Sequence, residues 1–433
     1  MTKEELAYWY WLSDVPGVGP TISRKLLSAF ERPVAVFNAS KSDVIASTGI
    51  RETLADSIQR TKENIEKYLT LSENQMKLAE GLGGFILTAG DSPYSSIYAT
   101  QSNEQALPPV IHVRGEVTLL EGRKFAIVGT RAPSHWGKDN AFQLALGLAR
   151  SGMTVVSGLA LGIDAEAHRG ALEGNGRTIA VLGCGANVVY PPANRNLYAD
   201  ILSKGLIVSE FPFGTHPSSE NLRKRNRTLV ALSESVVVVE CSIKSGALIA
   251  ARFAVQQRKP IFSFRYPETV DNRGAEWLIS KSLAMELTEA SADSILRAAA
   301  DYQVSSTVTA DKDFLEIWPR KQRKEVAKGK DKKQKKPEKT SGRKQRRVGA
   351  GKVLTSAHEQ PRLPLGVPSE KEEGIERERG FSFAIGDTVV HPTFGKGEVT
   401  KITAVPNDYQ ITVRFSRKSI RTFSWRFTNL SKG

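Results

Sequence analysis

The sequence predicts an α/β protein: an extended parallel sheet, an N-terminal helical domain and a small C-terminal β-barrel. Three observations carry that expectation. Between residues 76 and 300, short apolar runs alternate with helical stretches, as in a parallel sheet covered on both faces. Residues 1–75 place their apolar side chains at helical spacing. Residues 381–433 alternate apolar and polar positions between glycine turns, the pattern of a small antiparallel barrel. With 433 residues and 40% hydrophobic content, the chain can build two or three domains with real cores.

The N-terminal segment turns at Leu12-Ser-Asp-Val-Pro-Gly-Val-Gly-Pro-Thr21, between two amphipathic stretches. Ile22, Leu26, Leu27 and Phe30 share one helical face. Pro16-Gly17-Val18-Gly19 matches the turn of helix-hairpin-helix modules, where glycine amides approach a nucleic-acid phosphate at a helix N-terminus. An ordinary turn between packed helices satisfies the same residues.

In the central segment, strands are expected near 125–128, 154–157, 178–182, 206–209, 236–239 and 260–264. Helices are expected near 136–150, 164–173, 194–203, 221–233 and 245–257. Val236-Val-Val-Val239 is a continuous apolar run, as a strand buried on both faces requires. Almost every strand ends in a glycine or polar turn. In a parallel sheet those ends fall on one edge, where ligands bind.

The turns along that edge are suited to phosphate. Gly129-Thr130-Arg131 lets a ligand approach the backbone and supplies a planar guanidinium fork. Ser157-Gly158 ends the next strand. Asp164 is placed to cap the following helix, and His168 lies one turn on. A cap with a satisfied histidine explains this pair better than a metal or acid-base site. Gly183-Cys184-Gly185 imitates a dinucleotide fingerprint without its third glycine, and no G-x-x-x-x-G-K-[ST] occurs. Leu222-Arg-Lys-Arg-Asn-Arg-Thr228 is a cationic cluster inside a folded segment. On one helix, Arg225 would fall among Leu222, Leu229 and Leu232, where a lone charge is not tolerated. Either that helix begins near Asn226, or Arg225 reaches a polar pocket. Lys244-Ser245-Gly246 opens the helix after the valine strand, with Ser245 as its expected N-cap. Free amides, the helix dipole and Lys244 together form an anion site. The candidate binding residues are therefore Arg131, Ser157, Gly158, Arg223, Lys224, Arg225, Asn226, Arg227, Lys244, Ser245 and Gly246. No nucleophile–base pair and no metal-ligand spacing is present, so the expectation is phosphate binding without bond breaking, with no metal and no cofactor.

Charge is concentrated elsewhere. Residues 320–347 hold 15 Lys or Arg against 3 acids, so this segment carries +12 of the net +15 and the rest of the chain only +3. Residues 301–380 are expected to form a basic disordered linker. Such a segment either binds nucleic acid weakly or serves as a solvated spacer. The two cysteines, Cys184 and Cys241, sit at buried strands and read as small hydrophobes. No apolar run approaches the ~20 residues of a membrane span, and the polar start Met1-Thr-Lys-Glu-Glu-Leu6 is unlike a signal peptide. A cytoplasmic protein is expected.

Several of these motifs recur together, in order. Val128-Gly-Thr-Arg131, Ser157-Gly-Leu-Ala-Leu-Gly-Ile-Asp164, Thr178-Ile-Ala-Val-Leu-Gly183, Ser209-Glu210, Arg225-Asn-Arg227, Val238-Val-Glu240 and Ser245-Gly246 make residues 125–286 resemble the DNA processing protein A family (DprA, also called Smf). The resemblance implies an extended Rossmann-like fold, with a helix-hairpin-helix or SAM-like N-terminal domain. It also implies a non-catalytic single-stranded DNA-binding function, homodimerisation, and loading of RecA recombinase during natural transformation. The implied pocket uses Arg131, Ser157, Gly158, Arg225, Asn226, Arg227, Ser245 and Gly246. Leu222-Arg223-Lys224 replaces the family's usual Phe-Pro, and the common C-terminal winged helix is replaced by the basic linker and barrel. The segment Gly386 to Gly397 with Ile411-Thr-Val-Arg-Phe415 resembles the SH3/Tudor-like module of UvrD/PcrA-type helicases, which implies contact with RNA polymerase or duplex DNA. Two alternatives use the same scaffold. One is a small-nucleotide sensor. The other is a phosphoribohydrolase of the lysine-decarboxylase-like (LOG) type, whose motif glutamate is replaced here by Ala250.

Overall fold

A computed structural model of the chain describes residues 1–100, 107–174, 176–300, 384–391, 395–405, 408–416, 419–424 and 431–432. The expected linker, 301–380, lies outside the described residues. Two compact units are present, Met1–Lys335 and Lys336–Gly433.

The first unit begins with six helices: α1 (Lys3–Asp14), α2 (Pro20–Phe30), α3 (Pro33–Asn38), α4 (Lys41–Thr48), α5 (Glu52–Thr61) and α6 (Ile65–Leu82). A capping box starts α1: the Thr2 hydroxyl accepts from the Glu5 amide, and the Glu5 carboxylate accepts from the Thr2 amide. The chain then turns through Gly17, whose φ of 88° suits glycine. Gly19 caps α2, with Pro20 at its first position. The expected boundary at residue 75 falls inside α6. There the buried Gln75 amide exchanges two hydrogen bonds with the backbone of Phe213, at 2.8 and 3.2 Å. The helices share one hydrophobic core with one face of the sheet, so they extend the sheet's packing instead of folding around a separate core.

Nine strands form the sheet: β1 (Gly84–Thr88), β2 (Val110–Gly115), β3 (Lys124–Val128), β4 (Thr154–Ser157), β5 (Thr178–Leu182), β6 (Leu206–Ser209), β7 (Ser235–Val238), β8 (Ile261–Phe264) and β9 (Met285–Leu287). Their order is β1-β2-β6-β5-β4-β3-β7-β8-β9. All six expected strands are present, and β3 to β9 run parallel. The sheet is nevertheless mixed, because β2 lies antiparallel to β6 and β1 antiparallel to β2. The remaining helices are α7 (Tyr94–Thr100), α8 (His135–Arg150), α9 (Ile163–Glu173), α10 (Arg195–Lys204), α11 (Ser219–Ala231), α12 (Ala247–Gln256), α13 (Arg273–Ser280) and α14 (Ala292–Ala300).

Strand alternation sorts the helices onto two faces. Phe125, Ile127 and Val237 pack with α8 and α9. Ala126, Val128, Val236 and Val238 point the other way, into the core with α11, α12 and the N-terminal helices. Cys184 and Cys241 are both buried and unpaired.

In the second unit, β10 (Thr388–His391), β11 (Gly395–Val405), β12 (Asp408–Ser416), β13 (Ser419–Ser424) and β14 (Ser431–Lys432) form one antiparallel sheet, ordered β13-β12-β11-β10-β14. Val389, Val399, Ile411 and Val413 are its buried core. Among the described residues, β13 and β14 do not pair to close a barrel. Phe394 and Trp425 lie outside the described residues. No helix among the described residues is long and apolar enough to cross a membrane.

Candidate nucleic-acid interface

The strand order reverses between β3 and β7. The chain leaves β3 for α8 on one face of the sheet and leaves β7 for α12 on the other. A crevice must open where these connections diverge, at the carboxyl ends of both strands. A cleft of about 640 Å³ lies there, lined by Gly129-Thr130-Arg131 after β3 and Ser242, Lys244, Ser245 and Gly246 after β7. The start of α11, at Ser218 and Ser219, closes the third side.

Four cations line the cleft against one carboxylate: Arg131, Arg223, Arg225 and Lys244 against Asp164. Arg131, Arg223 and Lys244 are exposed and make no ion pair among the described residues. Two helix N-termini converge on the same space. Gly246 caps α12 with no side-chain bond to its amides, while the Ser245 hydroxyl accepts from Ala247 N–H at 3.2 Å. The expected cap is therefore one residue early. At α11 the Ser218 hydroxyl caps Asn221 N–H. Each helix end contributes partial positive charge to the cleft, although the first amides of α12, those of Ala247, Leu248 and Ile249, already bond to Ser245 and Gly246. Sequence reasoning missed the α11 end, although Ser218 followed by Glu220 in the first turn was a legible signal.

Of the two readings of Arg225, the structure has the arginine reaching a polar pocket. Helix α11 does not begin at Asn226; it runs from Ser219 through Ala231. Arg225 is 5% exposed, and its guanidinium donates to the Val181 carbonyl at the end of β5. It packs against Gly158, where an added Cβ would come within 1.8 Å of Nη1. It also faces Asp164, the chief opposing charge acting on it. Burial pushes the Asp164 carboxyl upward, while Arg225 and the amides of Ala160 and Gly158 hold it down. Asp164 is not the α9 cap, which is Gly162 at φ 76°. Its carboxylate instead accepts from Gly158 N–H at 3.2 Å and Ala160 N–H at 3.4 Å. Arg225 and Asp164 thus brace the floor of the cleft.

Seven of the eleven candidates line the cleft: Arg131, Arg223, Arg225, Asn226, Lys244, Ser245 and Gly246. The others do not. Ser157 is fully buried and donates to the Ile127 carbonyl. Gly158 acts as the seat for Arg225. Lys224 pairs with Glu220 one turn earlier. Arg227 pairs with Glu210 at 3.0 Å, and both border a second cavity. Helical geometry accounts for the split: at about 100° per residue, 222, 223 and 226 share one side of α11, and 220, 224 and 227 the other.

His168 is a satisfied core histidine. Its Nε2 accepts from Leu159 N–H, so Nδ1 carries the proton toward the Thr178 hydroxyl at 2.7 Å, which in turn donates to the Val155 carbonyl. Burial lowers its pKa to about 3, and that of His112 in β2 likewise. Both stay neutral when folded, whereas the unfolded chain takes up protons below about pH 6.5. Stability is therefore complete above that pH and is lost as pH falls toward 3. At pH 5 the cost is roughly 2 kcal/mol per histidine. The urea midpoint should drop between pH 7 and pH 5, and less so in a His168→Asn variant. Equal pH sensitivity in that variant would show that His168 plays no part.

The comparisons with known proteins agree with this geometry. Residues 85–299 match the family model for DNA recombination-mediator protein A. Protein Smf of Synechocystis is 36% identical over 297 residues, covering 67% of this chain and 72% of that protein. The chain belongs to the DprA/Smf family. Protein Smf of Escherichia coli is 40% identical over 186 residues, which span 42% of this chain and 49% of that relative. The X-ray structure of DNA processing protein A from Streptococcus pneumoniae superposes with a TM-score of 0.56 at 27% identity, over 70% of this chain and 99% of that one. Residues of three segments that carry the DprA/Smf match, Val128 to Arg131, Arg225-Asn226 and Ser245-Gly246, supply walls of the cleft.

Proposed function

We propose that this DprA/Smf member binds single-stranded DNA along the cleft and acts as a non-catalytic recombination mediator. The observation that carries the proposal is the convergence of three unpaired cations, Arg131, Arg223 and Lys244, with two helix N-termini at the switch point of the sheet. Fixed charge and helix-end dipoles suit a phosphate backbone and read no base, so sequence preference should be small. The hydrolase alternative is disfavoured by Ala250, which lines the cleft where the related motif holds its glutamate. It is disfavoured as well by Asp164, whose carboxylate is occupied by loop amides. Recombinase loading, homodimerisation and a partner of the C-terminal sheet, either RNA polymerase or duplex DNA, belong to the same reading. They follow from family membership and from the resemblance of residues 386–415 to the helicase module.

Fluorescence anisotropy with an oligothymidylate and a duplex of equal length tests the proposal on the full chain. The single strand should bind more tightly. Its log K should fall with log salt by roughly 0.7 per phosphate contacted, or about 2 for three contacts. Equal affinity for both, or binding indifferent to salt, would reject it. A nucleotide sensor using the same cleft predicts instead that mononucleotides displace the oligonucleotide.

A further inference from the structure

Fixed charge alone does not account for a preference for single strands. Duplex DNA spaces its phosphates closely, about one per 1.7 Å of its axis, so a purely cationic cleft would hold it at least as well. What a duplex lacks is an open base face. A side chain that stacks on bases supplies that discrimination.

Among the described residues, two phenylalanine or tryptophan side chains are exposed, Phe85 at 53% and Trp136 at 56%. Phe85 lies on β1, with four strands between it and β3. Trp136 stands on the first turn of α8, five residues after the cleft residue Arg131. Helix α8 joins β3 to the parallel strand β4 and so runs back along the sheet. Its N-terminus therefore lies at the carboxyl ends of the strands, the edge that holds the cleft. Helical side chains tilt toward the N-terminus, which carries the indole past that edge. One turn on, and on the same side of α8, Asn140 donates to the Tyr266 hydroxyl beyond the end of β8, at 2.9 Å. Trp136 thus sits toward β7 and β8, the flank from which Lys244 reaches the cleft.

The turn that carries the indole is fixed from beneath. Glu240, 4% exposed after β7, accepts from the Ser134 N–H at 3.1 Å and from the Ser134 hydroxyl at 2.6 Å. Its main-chain carbonyl accepts from Thr130 N–H at 2.7 Å. Ser134 in turn caps α8 through Gly137 N–H at 3.1 Å, and a Cβ added at Gly137 would strike the Glu240 carboxylate. Glu240 therefore clamps both ends of the Thr130–Ser134 turn, with Arg131 inside it and Trp136 just after. The ring beside the indole, His135, lies 6.4 Å away and tilted by 57°, so it does not stack over an indole face. We propose that Trp136 is a base-stacking platform at the rim of the cleft and gives the protein its preference for single over double strands. The assignment rests on the strand-binding reading and adds a base-face contact to it. Stacking accepts any base, so sequence preference stays small.

Anisotropy on the full chain with an oligothymidylate, an abasic strand of equal length and a duplex tests the assignment. The parent should bind the oligothymidylate about tenfold more tightly than the abasic strand, as expected for one stacked base. Trp136→Ala should remove that advantage. It should leave abasic and duplex binding unchanged and keep the salt slope, because no phosphate contact is lost. Trp136→Phe should recover most of the affinity. Equal oligothymidylate binding by the parent and Trp136→Ala, with the salt slope intact, would overturn the stacking role and leave the strand-binding reading standing. A loss shared equally by the abasic strand would do the same. Absence of salt-dependent strand binding in the parent would overturn both.

Discussion

Replacing Arg131 and Lys244 together by alanine should lower affinity for an oligothymidylate by about tenfold or more and reduce the salt slope by roughly 1.4. The reasoning rests on where each side chain spends its charge. Both are exposed, and both border the crevice between β3 and β7. Neither forms an ion pair with a carboxylate among the described residues, although Arg131 helps hold the Asp164 carboxyl down. Because neither is buried, their removal leaves no stranded partner, and surface changes of this kind usually stay within about 0.5 kcal/mol of stability. The melting temperature should therefore stay near that of the parent. Lys224→Ala is the matched control: it removes one charge from the same basic run, but on the opposite side of α11. It should change binding little. If Lys224→Ala weakens binding as much as the cleft variant does, the strand crosses a different surface. If the cleft variant binds with an unchanged salt slope, Arg131 and Lys244 touch no phosphate.

The contrast between these residues marks how far the sequence could be read. The parallel strands were legible because each is a short apolar run ended by a turn, and periodicity records burial directly. The antiparallel edge was not. The β1 strand follows α6 without a break, and β2 looks like any short apolar run behind two prolines. β2 pairs with β6, some 90 residues further along, and β1 with β2 alone. The cationic run 222–228 was visible as composition, but composition does not say which side of a helix a charge takes. Arg227 found Glu210, and Lys224 found Glu220. Neither pairing follows from local spacing until the α11 boundaries are fixed. The Asp164 role was misassigned for a related reason. A carboxylate near a helix start usually caps that helix, yet here Gly162 holds the cap position and frees Asp164 to accept from the preceding loop.

Arg225→Met should destabilise the protein by roughly 3 kcal/mol, the cost of leaving the buried Val181 carbonyl and the buried Asp164 carboxylate without the cation they face. That should lower the melting temperature by on the order of 10 °C. Arg225 has the same chemistry as Arg131 and borders the same cleft, so a binding assay alone would score both as DNA contacts. Burial separates them. The Arg225 guanidinium is enclosed by Gly158, the Val181 carbonyl and Asp164. Removing it leaves a carboxylate that burial already pushes upward in pKa without its main offsetting charge. Asp164→Asn in the same chain should then recover part of the loss, because replacing both partners is far cheaper than stranding one. Gly158→Ala offers a route to the same result without touching a charge. Its Cβ would occupy the guanidinium's place, 1.8 Å from Nη1, and the arginine would have to leave its seat. Thermal unfolding of the two single variants and the double variant distinguishes the two roles. A stable Arg225→Met protein that has lost only oligonucleotide binding would make Arg225 a phosphate ligand, and its bond to the Val181 carbonyl beside Asp164 would then not be what holds the cleft floor.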